Sequence, residues 1–477
     1  MNHIETLQAR VDGQVHTDSL RRIMYATDAS DYREVPEAVV YPMGEQDIME
    51  LVRYAREHRV TLIPRAAGTS LAGQVVGNGI VVDVSRHMNN ILEINEKERW
   101  VRVQPGIILD ELNLQIRHTG LFFPPETSTS NRSMIGGMIG NNSCGLHSLI
   151  YGDTRRHTLS IRAVLGDGSV AEFGPLNDAD FKKKLEVEGL EGQIYREINE
   201  TLSSPENQSE ILKEYPDPGV VRRNTGYALD EMLQSPPFLG ETSRYPDFNL
   251  CRMLAGSEGT LVFMTEARLN LIPLPPSHKA LVPVHFPSVT EAIRGNLVAL
   301  SHSPSAVELM DKTILDCTRD NITQQKNRFF LEGDPGAILM VEFTGDSDES
   351  VTKRIAAMEK EMRASGLGTH FPVVKGKDIT RVWALRKAGL GVLSNLPGEG
   401  RPVSVIEDTS VHVESLEEYI ADFDQILDRF GLECVYHAHI SVGELHLRPI
   451  LNLKDPEHVR LFHEIALETA RLVKKYR

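Results

Sequence analysis

Cysteine, positive charge and long apolar runs are all scarce in this sequence, and each shortage removes a class of protein. The four cysteines, Cys144, Cys251, Cys317 and Cys434, are scattered, with no Cys-x-x-Cys among them. That argues against a disulfide framework, a zinc ribbon or an iron–sulfur cluster within these residues. No apolar run reaches the roughly 18 residues that a membrane-spanning helix needs. The opening MNHIETLQAR has no apolar signal core, so a cytoplasmic location is expected, free or at the inner face of a membrane. Lys and Arg number 51 against 67 Asp and Glu, a formal net charge of -16. Such a balance disfavours a phosphate-backbone partner, so no nucleic acid is expected, and a solvated acidic surface accounts for it. There is no internal repeat and no low-complexity tract.

What is present is ordinary globular composition, 41% hydrophobic and 25% charged over 477 residues. That length exceeds one ordinary core, so two or three domains are expected. From about 38 to 85 the pattern reads strand, helix, strand, loop, strand: AVVYP, then Ile48, Leu51, Val52 and Ala55 at helical spacing, then VTLIP and IVVDV. WVRVQPG adds a strand and a helix follows near 109–118. LSIRAVL and SVAEF flank Gly166-Asp167-Gly168 as a hairpin. Residues 176–245 read as a polar, helical excursion on the surface, before GTLVFMTEARLNLI returns to strand. Pro273-Leu-Pro-Pro276 marks a domain boundary. Beyond it, amphipathic helices alternate with strands. In 415–430, Leu416, Tyr419, Ile420, Phe423, Ile426, Leu427 and Phe430 form one stripe that Gly431 ends, a pattern of core packing. The domains expected are a helical segment at 1–34, a cofactor domain at 35–275 with the helical insertion, and a substrate domain at 276–477.

Five segments carry chemistry. Residues 64–74, PRAAGTSLAGQ, follow a strand and lack bulk, so successive backbone N–H groups can turn toward an anion. The segment is neither a Walker A loop nor G-x-G-x-x-G, and its composition leaves a bland turn and a phosphate nest equally open. Residues 125–145 pack hydroxyls and amides beside four glycines, suiting the approach of a flat ligand. Residues 256–268 are a glycine turn running into a strand. Residues 435–448, VYHAHISVGELHLR, read as two strands joined at 441–443. Alternation puts Val435, His437, His439 and Ser441 on one face, and Glu444, His446 and Arg448 on one face of the partner strand. His439 and His446 can converge across the turn at a spacing suited to a divalent metal, with a structural role as the alternative. In 379–390, Arg386 falls in a helical row with Ile379, Trp383, Leu390 and Leu393. A buried arginine needs a partner. Either an internal ion pair or a substrate carboxylate would serve.

In this order, the first three segments resemble the FAD-linked oxidases of the vanillyl-alcohol oxidase type, with a PCMH-type FAD domain. Within that group the chain resembles the D-lactate, glycolate and D-2-hydroxyglutarate dehydrogenases along nearly its whole length. The resemblance implies an α+β fold: an FAD-binding domain of two α+β subdomains, then a C-terminal α+β, ferredoxin-like substrate domain. It implies FAD's pyrophosphate over Ala66, Ala67, Gly68, Thr69, Ser70 and Gly73, with Arg65 and Gln74 beside them. Pro125, Glu126, Thr127, Ser128, Gly136, Gly137, Ile139, Asn141, Asn142, Gly145, Glu258, Gly259 and Val262 would line the isoalloxazine and ribityl chain. Some relatives attach FAD through a histidine at the position of Thr69, so non-covalent FAD is implied here.

The dehydrogenases carry a Gly-His-x-Gly-Asp-Gly-Asn-x-His hairpin where this chain has residues 438–446. His439 and His446 fall on its metal-ligand histidines and Gly443 on a glycine. Ala438, Ser441, Val442 and Glu444 replace Gly, Gly, Asp and Asn. The relatives' carboxylate-binding arginine matches Arg386, and Glu407-Asp408 matches an acidic position beside the site, in a supporting role or as a plain strand-end pair. The resemblance thus implies hydride transfer from a D-2-hydroxy acid to flavin N5, with Arg386, His446 and Glu444 in the reacting site and Zn, Mn or Fe on His439 and His446. Relatives continue into a Glu-His-Gly motif, and bacterial forms into an iron–sulfur region. The helix at 456–477 ends with no cap, so a cut there is expected, leaving a chain that binds FAD but turns over poorly. Electrons would leave through that iron–sulfur region or to a quinone, and a homodimer is an open expectation. A non-catalytic electron-transfer subunit and a sugar or alcohol oxidase are the alternatives.

Overall fold

The computed structural model describes residues 3–223 and 226–477. The fold is α+β, and the chain divides into two compact units. One comprises residues 1–144, 153–215 and 224–274, and the other 145–152, 216–223 and 275–477.

The first unit holds two main sheets and a two-stranded pair, Leu121–Phe122 with Ile272–Pro273. In the smaller main sheet, strands run in the order Gln14–His16, Ala38–Tyr41, Ile80–Asp83, Leu62–Arg65, with the last three parallel. Helix Glu45–His58 makes the crossover and buries Ile48, Leu51 and Ala55 of the expected row, with Val52 half-buried and Tyr54 buried beside them. Its buried Asp47 accepts from the backbone N–H of Asp12 (2.8 Å), Gly13 (2.9 Å) and Met43 (2.7 Å), which ties the N-terminal segment down. That segment is therefore not simply helical: Gln14–His16 is a strand that pairs with Ala38–Tyr41. The larger sheet is antiparallel, in the order Ile91–Asn95, Trp100–Val103, Phe263–Asn270, Thr158–Val164, Val170–Phe173.

The stretch read as a surface excursion is helical, at Asp178–Leu185, Gly189–Ser203, Pro205–Glu214, Leu229–Leu233 and Pro236–Leu239, with residues 224 and 225 outside the described ones. It is not superficial. Phe181, Tyr195, Leu202, Ile211, Met232 and Leu233 are buried in the same core as the larger sheet. Polar residues dominate its composition, but the few apolar ones fall on the inward faces.

The second unit is one antiparallel sheet. Its strands run Val374–Lys375, His278–Phe286, Ala337–Gly345, Ala306–Asp311, Cys434–His439, Glu444–Leu451 and Arg401–Pro402, with Ile406–Ser410 also pairing to Glu444–Leu451. Alternation sorts the two faces. Val282, Val284, Val307, Leu309, Leu339, Val341, Ala438, Leu445 and Leu447 join the core formed with helices Val289–Ser301, Asp348–Ala364, Leu416–Phe430 and Pro456–Tyr476. Helix Leu416–Phe430 buries Leu416, Tyr419, Ile420, Phe423, Ile426 and Leu427 there, roughly 1.5–3 kcal/mol for each large apolar side chain. Gly431 ends it in the left-handed region. The opposite face carries Leu281, Ala306, Met310, Ile338 and Met340 under helix Asp378–Val392. Polar side chains share that face, among them Glu308, Glu342, His437, His439 and His446.

Candidate functional site

Three glycine-rich segments, far apart in sequence, meet in the first unit. The loop 66–74 leaves strand Leu62–Arg65. Its Gln74 donates through Nε2 to Asn141 Oδ1 (3.1 Å), while Ser70 Oγ donates to Gln74 Oε1 (2.5 Å). The second segment is not all loop: Ile135–Asn141 is a short helix that buries Ile135, Met138 and Ile139. A Cβ on Gly137 would lie 3.6 Å from Ala66, so the helix lies against the first loop. The third segment docks on the helix end, with Gly256 N–H donating to Ile139 O and Glu258 N–H to Gly140 O, both at 2.9 Å. Glu258 (φ 55°) and Gly259 (φ 75°) are both left-handed, and a Cβ on Gly259 would lie 3.2 Å from Pro64. Gly68 (φ 65°) and Gly73 (φ 75°) give the loop its two left-handed turns. A cradle of this kind, small side chains around a strand end, admits a diphosphate against backbone N–H groups.

The other expected cofactor residues are less uniform. Thr127 and Ser133 share a hydroxyl hydrogen bond (2.8 Å) beside buried Pro125, with Glu126 partly open and Ser128 exposed. Asn142 is fully buried: its Nδ2 donates to Asp153 (3.0 Å) and its Oδ1 accepts from Arg155 N–H (2.8 Å), so it holds the chain after the helix. Ile139 points into the core. Val262 packs against that core, and Gly145 falls in the second unit.

In the second unit the hairpin forms with His437 opposite His446 and His439 opposite Glu444. Its turn is a short 3-10 helix, Ile440–Val442, closed by Gly443 at φ 75°. The rings of His439 and His446 are 4.9 Å apart and nearly perpendicular (80°), and those of His437 and His446 are 4.6 Å apart. Two of the three rings are oriented by carboxylates. His439 Nδ1 lies 2.8 Å from Glu308 Oε1, and His446 Nδ1 lies 2.9 Å from Glu407 and 2.8 Å from Asp408. Glu407, Asp408 and His446 offer ligand atoms all within 4.8 Å of one another. Burial alone would drive the proton off His446, but the two carboxylates outweigh it and raise the ring to about 10. Burial would raise Asp408, yet the hydrogen bond and charge of His446 bring it down to about 2. His437 behaves oppositely: burial, with His446, Arg386 and Arg448 nearby, pushes it well below 6.5. Its Nε2 accepts from Arg448 Nε (3.3 Å), and Arg448 Nη2 meets Glu407 at 2.6 Å.

Arg386 lies buried on helix Asp378–Val392 and meets Glu308 Oε2 through Nη2 (2.8 Å) and Nε (3.1 Å). Of the apolar row expected beside it, Ile379, Trp383 and Leu393 are buried, and the side chain of Leu390 lies outside the described residues. One turn earlier, Trp383 Nε1 donates to buried Glu342 (3.0 Å), which also accepts from Ser305 Oγ (3.0 Å) and meets His147 Nε2 (2.8 Å). Glu444 is buried against Arg222, with Nε at 3.1 and 3.2 Å from its two oxygens.

Glu308, Glu342, His147 and Arg222 were not singled out by sequence reading. For the two glutamates a signal exists, a lone acid inside an apolar strand run (AVELM, LMVEF). For Arg222, 222 residues from its partner, there is none.

Known proteins add an independent line. Residues 36–174 match a family model described as an FAD binding domain, and residues 275–477 match the C-terminal domain of FAD linked oxidases. D-2-hydroxyglutarate dehydrogenase of Pseudomonas putida is 38% identical over 475 residues, 97% of this chain and 46% of that protein. The Escherichia coli protein of that name is 33% identical over 100% of this chain and 47% of its own length. The chain thus spans about half the length of these two curated relatives. Glycolate oxidase subunit GlcD of Bacillus subtilis is 26% identical over 89% of this chain and 75% of its own length. Among solved structures, 4-ethylphenol oxidase from Gulosibacter chungangensis superposes with a TM-score of 0.64 at 17% identity, covering 98% of this chain and 86% of that one. p-Cresol methylhydroxylase does so with 0.64 at 14%, over 98% and 86%. Those likenesses speak for the fold. With both family matches in chain order over an α+β fold and glycine segments that meet, the chain belongs to the FAD-linked oxidases, with an FAD-binding domain followed by their C-terminal domain.

Proposed function

We propose that this chain is the flavin- and substrate-binding portion of an FAD-dependent D-2-hydroxy acid dehydrogenase. The observation that carries this is the row of polar side chains on one sheet face of the second unit. Glu308, His439 and His446 share that face and Arg386 meets Glu308 from helix Asp378–Val392, with each charge partnered, and the resemblance to the dehydrogenases supports a carboxylate on that arginine and a metal on those two histidines. The names of the relatives support a D-2-hydroxy acid, and hydroxyglutarate first among candidates.

FAD, when bound, would supply the hydride acceptor at flavin N5, and a divalent ion (Zn, Mn or Fe) would acidify the substrate hydroxyl. His439 and His446 fit such an ion, because carboxylates hold both rings through Nδ1 and so present Nε2. Arg386 would bind the substrate carboxylate, steered by Glu308, which engages Nε and Nη2 but not Nη1. Glu444 would balance Arg222 at the hairpin base instead of touching substrate. Without a metal, His446 keeps its proton at neutral pH and is a poor base. His437 stays neutral in a buried place, where it could take a proton. Thr69 in place of a histidine supports non-covalent FAD. Electrons would pass on to an iron–sulfur centre or a quinone.

The altered hairpin, with Glu444 already paired, favours one second reading: an FAD-binding electron-transfer subunit. Anaerobic mixing of the FAD-loaded protein with D-2-hydroxyglutarate, D-lactate and glycolate separates them. Bleaching of the flavin by one acid, lost in Arg386→Ala, is expected. Tight FAD with no bleaching by any acid would leave the subunit.

A further inference from the structure

The matched FAD domain begins at residue 36, yet the cofactor loop is held from outside that range. The turn 26–34 is internally braced. Thr27 bridges Arg33, Glu34 N–H donates to Ala26 O (2.9 Å), and Asp28 Oδ1 accepts from Ser30 N–H (2.8 Å) and Ser30 Oγ (2.5 Å). Ser30 Oγ in turn accepts from Tyr32 N–H (3.2 Å). So fixed, Tyr32 lies directly on Gly73: a Cβ there would come within 2.6 Å of its ring carbon Cδ2. The near end of the loop is held by Tyr25. Its ring lies 5.0 Å under the Arg65 guanidinium, its carbonyl accepts from Arg65 Nη1 (3.4 Å), and its hydroxyl donates to Asp83 (2.5 Å). Arg65 then folds over Gly68, whose Cβ would meet Nη2 at 2.5 Å.

We infer that the N-terminal turn is part of the FAD site, with Tyr32 as a positioning residue that holds Gly73, and with it the phosphate loop, in its binding shape. Core packing does not account for that ring, since Tyr32 is 46% exposed. The loop it touches has no regular structure and is rich in small residues, so on its own it would lose much freedom when FAD binds. Fixing one residue's backbone costs about 1–2 kcal/mol. A ring that pre-forms the left-handed turn at Gly73 removes part of that cost before the cofactor arrives.

This rests on the FAD reading, and its test keeps the two apart. FAD affinity of the full chain is measured by quenching of free-flavin fluorescence, with the apo chain's melting temperature followed in parallel. Tyr32→Ala should raise the Kd for FAD about tenfold while the apo melting temperature stays put, and Tyr32→Phe should restore tight binding. Unchanged affinity in Tyr32→Ala overturns the inference, as does a loss that the apo chain's own destabilisation matches. Failure of the unaltered chain to take up FAD would overturn the family-based reading beneath it.

Discussion

Glu308 offers the sharpest test of how the polar face is built. It lies fully buried on strand Ala306–Asp311 and serves two partners, Arg386 at 2.8 and 3.1 Å and His439 at 2.8 Å. Glu308→Ala leaves the Arg386 guanidinium buried with no counter-charge. Removing one partner of such a pair costs about 3–5 kcal/mol. At about 2–4 °C per kcal/mol for a unit of this size, that is a fall of about 6–20 °C in its melting midpoint. Glu308→Gln keeps the shape and one acceptor oxygen, so its cost should be about 1.5–3 kcal/mol. Adding Arg386→Met to Glu308→Ala should recover most of the loss, because the unpaired charge goes with it. The assay is urea unfolding followed by tryptophan fluorescence. Trp383, one of two tryptophans in the chain, is buried a turn from Arg386 and reports the second unit. A cost below about 1 kcal/mol, the range of exposed pairs, would refute the argument. So would additive losses in the double variant.

Three further outcomes are expected. The His285 ring donates through Nδ1 to Pro283 O (2.9 Å) and accepts at Nε2 from Glu332 N–H (3.2 Å), which only the neutral form can do, and burial with His370 alongside lowers its pKa below 6.5. Its stability contribution is therefore complete above the unfolded value and drains as pH falls below it, by at most about 1.4 kcal/mol per pH unit; urea midpoints at two pH values should show less acid loss in His285→Phe than in the parent, and equal loss would refute it. Gly443→Ala should open the histidine hairpin, because the new Cβ would lie 1.9 Å from Val411 O at φ 75°; a loss of about 2 kcal/mol or more is expected in the same urea assay, and a neutral substitution would contradict the tight turn. Acid precipitation of the FAD-loaded chain should release all flavin into the supernatant, and flavin retained on the pellet would rule out the non-covalent reading.

Local pattern carried much of the fold. The stripe of helix Leu416–Phe430, the hairpin around Gly168 and the strand alternation that puts His437, His439, His446 and Arg448 on one face are all short-range signals. Three things escaped them. The glycine run at 135–141 folds as a helix because tertiary contacts, its buried Ile135, Met138 and Ile139, override glycine's weak propensity. The helices between 178 and 239 look superficial by composition because each contributes only one or a few inward residues to a shared core. Partners such as Glu308 for Arg386 and Arg222 for Glu444 lie 78 and 222 residues away, where no periodicity reaches. The arginine's need for a counter-charge was legible, but not which carboxylate would meet it.

The route of the chain has a consequence for how this protein can be divided. Residues 145–152 and 216–223 are lent to the second unit from within the stretch that builds the first. His147 reaches Glu342 from one loan, and Arg222 reaches Glu444 from the other. A fragment cut at the family boundary, 275–477, would keep the whole sheet yet take Arg222 from Glu444 and one donor from Glu342. Neither unit is then a free module to be shuffled between proteins. Any graft, permutation or expression of the second unit must bring those two short stitches with it.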